Sequence, residues 1–226
     1  MKNIRAKEFF LWIAALFVAF FVGCSAEKES ADMTDYRELD GKELVICATN
    51  ASYEKEVKSI LPNAKIRYIT NYFDAFIMVT KGMGDATFVF NSFEKIIQLT
   101  YPSMYCLTTP IEIPIVAGFS SKAKDLREKF NDYVAMAKAE GYFDSLYDKW
   151  VTHYEEIHET IDFSDLEGSN GEFVIGTFTL NPPYEYLIEN KFAGFEMEML
   201  YDFCKRSGLK PKIENTLYDG VIAGVG

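Results

Sequence analysis

Histidine is almost missing from this chain, with two in 226 residues, and tryptophan is equally rare. That scarcity closes most routes to imidazole catalysis and to metal binding. His153 and His158 stand five apart among Glu155, Glu156 and Glu159, off the i,i+4 spacing that puts two ligands on one helical face. They read as part of a solvated acidic linker. No Gly-x-Ser-x-Gly elbow, Walker loop, His-Glu-x-x-His motif or usable Cys–His pair is present. No catalytic residue, metal or cofactor is therefore expected, and the chain does not read as an enzyme.

Basic residues are also in deficit, 23 against 34 acidic ones, for a net charge of −11. Binding to a phosphate backbone requires the opposite balance, so nucleic acid is not an expected partner. The acidity reads as solubility. Cysteine offers no framework either. Cys24, Cys47, Cys106 and Cys204 show no Cys-x-x-Cys spacing, and Cys47 and Cys106 sit in apolar, strand-like runs where a cysteine acts as a small core residue.

Long apolar runs are lacking except at the start. Phe9 to Val22 is about 14 residues, short of the roughly 20 that span a bilayer as a helix. With Lys2, Arg5 and Lys7 ahead of it, residues 1–23 read as a signal peptide. Phe21-Val22-Gly23-Cys24-Ser25 resembles the lipobox of bacterial lipoproteins, which implies acylation of Cys24 and a membrane anchor of several chains. The expected location is the cell envelope, on the periplasmic or cell-surface side.

Beyond the anchor, residues 24–40 are polar and aperiodic and read as a flexible tether. An apolar content of 49% then suffices for a real core. From Gly41 the pattern alternates: strand Leu44 to Ala48, helix Ser52 to Leu61, strand Lys65 to Ile69, helix Tyr72 to Thr80, strand Ala86 to Phe90, helix Ser92 to Leu99. This is α/β wiring with parallel strands. Met104 to Phe119 is predicted extended, with Pro110 and Pro114 excluding a helix. Ala123, Leu126, Phe130, Tyr133, Val134 and Ala137 mark an amphipathic helix that Gly141 closes, followed by a shorter helix from Tyr142 to Val151.

Residues 152–171 are acidic and end in Glu167-Gly168-Ser169-Asn170-Gly171, a cluster of breakers that marks a boundary. A fresh unit follows over 172–226: strand Phe173 to Phe178, a turn at Asn181-Pro182-Pro183, a helix with Phe195, Met199, Leu200 and Phe203 on one stripe, and a strand Lys212 to Asn215.

Several phrases resemble the solute-binding proteins of amino-acid ABC transporters, which have the type II periplasmic-binding-protein fold. Arg37 to Leu44 is similar to that family's opening of lobe two, Gly82 to Phe90 to its glycine-then-Asp-Ala strand, and Ile115 to Phe119 to its return crossing. Ala139 to Trp150, ending in Lys149-Trp150, resembles its closing phrase. Phe173 to Gly176, Pro182-Pro183-Tyr184-Glu185-Tyr186, Gly194-Phe195-Glu196-Met197-Glu198 and Tyr218 to Ile222 then resemble its beginning. The order is unusual. It implies incomplete type II lobes in an α/β fold: a lobe-two-like domain over 41–118, return helices over 119–151, and a lobe-one-like start of a second module over 172–226. A truncated tandem is expected ahead of a permuted chain.

The resemblance implies a ligand held between lobes, an amino acid or similar polar small molecule, and an ABC permease as partner. It places Tyr184 at the aromatic shelf, with Pro182 and Pro183 shaping its turn and a half-buried turn aromatic as the plainer reading. Tyr218 lies where the family often has tryptophan. In the first half, Thr49-Asn50-Ala51-Ser52 replaces the family's Gly-Thr turn, so Thr49 and Ser52 either present N–H groups to a ligand or simply cap a helix. Asn91 corresponds to an acidic position and cannot neutralise an ammonium. Two other functions occur on this fold: a periplasmic enzyme of dehydratase or transglycosylase-associated type, which needs an acid or base not found here, and the ligand-sensing part of a receptor.

Overall fold

The computed structural model describes residues 33–47, 51, 53–113 and 115–225, without the side chains of residues 218, 219 and 225. The leader, Cys24, most of the tether, Thr49 and Ser52 lie outside the described residues. From Tyr36 onward the chain forms a single unit of mixed α/β structure. Among the described residues no helix is long and apolar enough to cross a membrane.

Strand β1 (Glu43–Cys47) pairs in parallel with β2 (Lys65–Ile69), Glu43 opposite Lys65 and Cys47 opposite Ile69, through helix α1 (Glu54–Ile60). β1 is buried on both faces because helices cover both. Leu44 and Ile46 meet Val57, Leu61 and Ala64 on one side. Cys47 meets Tyr72, Phe76, Phe93 and Ile97 on the other. These last come from α2 (Tyr72–Thr80), from the turn leading into α3 and from α3 itself (Glu94–Thr100). Asn71 caps α2 by accepting from the Asp74 N–H at 2.9 Å, the usual role of an Asn before a helix.

Two predicted strands are corrected. Ala86 to Phe90 makes only an isolated parallel bridge, Leu44 to Ala86, because the chain turns away after it into a 3-10 turn at Asn91–Phe93. Met104 to Phe119 forms no strand among its described residues. Lacking a partner ladder, that run lies on the surface, which is why Cys106 is exposed and not in the core, as are Ile115 and Val116.

Helices α4 (Lys124–Ala139) and α5 (Tyr142–Tyr147) follow, and α5 continues into a π turn at Asp148–Thr152. The second half has a parallel pair, β3 (Glu172–Thr177) with β7 (Lys210–Asn215), and a small antiparallel sheet of β4 (Leu180–Asn181), β5 (Glu185–Ile188) and β6 (Lys191–Ala193). Helix α6 (Phe195–Ser207) connects β6 to β7 and stops at Gly208, whose φ of 69° is left-handed. Helix α7 (Tyr218–Val225) packs across β3.

The return helices and the second half are not separate bodies. Tyr133 and Ala137 of α4 share one core with Met197, Leu200, Phe203 and Cys204 of α6. Leu166, in the segment expected to be a linker, is buried in the same core, and Ile161 N–H donates to the Phe192 carbonyl at 2.7 Å. The Tyr133 hydroxyl donates to Asp202 Oδ2 at 3.0 Å, and Arg206 spans Asp202 and Glu140. Trp150 is fully buried against Ala193 and Leu146. Its indole N–H donates to Glu198 Oε2 at 2.6 Å, while Lys149 bridges Glu198 at 2.8 Å and Glu159 at 2.6 Å.

Candidate ligand cleft

The turn between β4 and β5 is fastened to the start of α6. A helix's first N–H groups have no partners within the helix, and here Phe195 N–H donates to the Pro183 carbonyl at 3.0 Å and Glu196 N–H to the Tyr184 carbonyl at 2.8 Å. The approach needs glycine at 194. A Cβ there would lie 2.3 Å from the Tyr184 oxygen, and φ is 116°. The Pro182–Pro183 bond inside the turn is cis.

This stitching brings two carboxyl groups together in the interior. Glu185 accepts from the Thr177 hydroxyl at 2.6 Å. Burial raises the Glu185 pKa, against the opposing effect of donors from Thr177, Phe178 and Asn181. Glu196 is pushed up to about 8, by burial first and by the neighbouring Glu185 next. Like charges in a dry site do not both ionise, so the pair holds a proton at neutral pH.

Beside this turn lies a cleft of about 690 Å³ at the carboxyl ends of β3 and β7. Phe178 and Thr179, just past β3, form one end, and Asn215, Thr216 and Leu217, at and past the end of β7, form another. The strand ends are held together by Thr216 N–H donating to the Thr177 carbonyl at 3.0 Å and Thr179 N–H donating to Asn215 Oδ1 at 3.3 Å. Leu180, Pro182, Tyr186 and Leu187 supply a wall from β4 and β5, and Phe73 of α2 supplies another from the first half. The carboxyl ends of parallel strands are where open α/β sheets take ligands, since loops there diverge and leave a crevice.

The anticipated residues fall unevenly around this cleft. Tyr184 is buried, at 8% exposure, and sits edge-on to Phe195 with ring centres 6.1 Å apart. It does not line the cleft, whereas its neighbours Pro182 and Tyr186 do. Burial raises its phenol pKa. Ser92 approaches closely enough to lower it in part, yet its hydroxyl makes no well-formed hydrogen bond. Asn91 is exposed at the 3-10 turn, so the fold brings its immediate neighbour, not Asn91 itself, to Tyr184. Tyr218 opens α7, its side chain outside the described residues, as are Thr49 and Ser52.

Phe73, Phe178, Tyr186 and Leu217 line the cleft without having been named as site residues from sequence, although Tyr186 closes the Pro182-to-Tyr186 phrase. A signal existed for two of them: Phe178 ends one predicted strand and Leu217 lies just past another. Nothing local marks Phe73, which reads as an ordinary residue of an amphipathic helix.

Among the described residues no group of three His, Cys, Asp or Glu side chains is placed to hold a metal. No protein-family model matches this chain, and no curated protein does.

Proposed function

We propose that this chain is a solute-binding module of an ABC-type uptake system, held outside the cytoplasmic membrane by lipid on Cys24. The observation that carries the reading is the cleft: a crevice at the carboxyl ends of two parallel strands, walled by residues from both halves of the chain. Export and acylation rest on the basic start, the apolar run and the cysteine that follows it. Amino acids are the solute class that the resemblance implies, and a permease is the partner.

The shared core supports reading residues 119–151 and 172–226 as one lobe, with 41–118 as the other. The carboxyl pair Glu185–Glu196 is not among the cleft's lining residues, so it serves the turn and offers no acid to a bound molecule.

The test is calorimetric titration of the full chain in detergent micelles against the common amino acids and small uncharged solutes, with metabolic fatty-acid labelling of the same preparation. Saturable heat with one solute and label lost in Cys24→Ser are the expected results. A cooperatively folded chain that gives no heat with any solute removes the binding reading. Label that survives the substitution removes the anchor.

A further inference from the structure

One wall of the cleft is tied to the helical core through the buried carboxyl pair behind it. We infer that the proton shared by Glu185 and Glu196 gates the cleft: while it is held, the β4–β5 wall stays fastened to α6, and when it leaves, the wall comes away and the cleft opens. The bearing of this gate on solute rests on reading the cleft as the solute site. Glu185 is where the wall converges. It accepts from the Thr177 hydroxyl at 2.6 Å, from the Phe178 N–H and from the Asn181 side chain. Each of these anchors a lining residue: Phe178 itself follows Thr177, Asn181 stands between Leu180 and Pro182, and Glu185 precedes Tyr186.

Glu196 stands on the other side of the tie. It lies in the first turn of α6 beside Met197, which is buried in the core with Leu200 and Phe203, so packing fixes its position. A proton between two carboxyls makes a strong hydrogen bond. Its loss leaves two like charges in a dry site, and attraction turns to repulsion. The wall is the side that yields, because β4 and β5 are two and four residues long, against a helix of 13 residues with a buried face. Other groups surround the pair. Tyr184 lies beside Glu196, and Ser92 and Tyr147 of α5 face Tyr184 in turn. Glu198, two residues on in α6, is occupied by Lys149 and Trp150.

The direction of the gate follows from the surroundings of the pair. Burial and the neighbouring Glu185 push Glu196 up to about 8, so the wall is fastened below that pH and freed as pH rises through it. Two backbone hydrogen bonds cross the same joint, from Phe195 N–H to the Pro183 carbonyl and from Glu196 N–H to the Tyr184 carbonyl. They report its opening, because a protected amide exchanges with solvent only when its bond breaks.

The experiment follows amide exchange of the full chain in detergent micelles at pH 6.5 and pH 9, with rates corrected for the intrinsic effect of pH. Residues 178–188 and 194–197 should lose protection about tenfold or more at pH 9, while residues 126–137 of α4 change about twofold or less. Glu196→Gln and Glu185→Gln each keep a hydrogen bond at the joint without a second charge. Either one, checked for a cooperative melt, should hold its protection at pH 9. Protection that is equal at both pH values, that falls as much in α4, or that falls as much in the variants overturns the gate. Calorimetric titration with the common amino acids, one at a time at the same two pH values, reads the consequence for solute. Affinity about fivefold or more weaker at pH 9 in the parent, and not in the variants, is the expected result. Equal affinity at both pH values overturns control of the cleft by the pair. Heat from no amino acid, with the pH-dependent protection in place, removes the solute reading and upholds the gate.

Discussion

Glu196 occupies the first turn of a helix, where a carboxylate is ordinarily favoured by the exposed N–H groups. Burial and the Glu185 charge override that preference and raise its pKa from 4.5 to about 8. A carboxyl with a raised folded pKa binds its proton more tightly folded than unfolded, so its stabilising contribution is complete below about pH 4.5. The contribution falls as pH rises and is lost through about 8. Glu196→Gln keeps a donor facing Glu185 and cannot ionise. Thermal melts from pH 5 to 9 should show the parent losing stability across that window and the variant losing much less. Parallel curves for the two proteins would exclude the shared proton. None of this is legible in sequence, where Glu185 and Glu196 are two ordinary acidic residues eleven positions apart. Their meeting depends on a turn folding back onto a helix end.

That turn shows where element-level reading succeeds and fails. Strands β1, β2, β3 and β7 and helices α2, α4 and α6 follow from hydrophobic period and their capping residues, within a residue or two at each end. The β4–β5–β6 sheet does not. Its strands are two, four and three residues long, too short to establish an alternation, and its β5–β6 turn uses positive φ at Glu189 and Asn190. The Ala86 to Phe90 run carries a strand's composition, yet composition cannot report that only Ala86 finds a partner. Gly194 is the element-scale hinge of the site, since it alone lets the Tyr184 carbonyl reach the α6 N–H groups. Gly194→Ala should destabilise by on the order of 3 kcal/mol through a strained φ and a backbone clash, measured by urea unfolding. A cost under about 0.5 kcal/mol would mean that the turn and helix are not tightly joined.

At the scale of the whole molecule the informative contacts are the distant ones. Trp150 reaches Glu198, and Tyr133 reaches Asp202 and Phe203, across the acidic stretch that reads as a boundary. Sequence shows the breakers but not the partners, and so does not reveal the core that α4 shares with α6 across them. Trp150→Ala empties a fully buried site and should cost about 3–5 kcal/mol. Because α5 and α6 share packing, amide exchange should quicken in residues 195–207 as well as near 150. Protection of α6 left unchanged would show the two halves to be independent.

The same core sets an order of events during synthesis. Tyr133 and Ala137 must wait for Phe203 and Cys204, roughly 70 residues later, before their apolar face has anything to cover it. Contacts so far apart close slowly, and the waiting face is sticky meanwhile. A chain emerging N-terminus first therefore passes through a stage with α4 made and its partner not yet delivered. Any holding factor that meets the emerging polypeptide would find its target in the apolar stripe from Leu126 to Ala137.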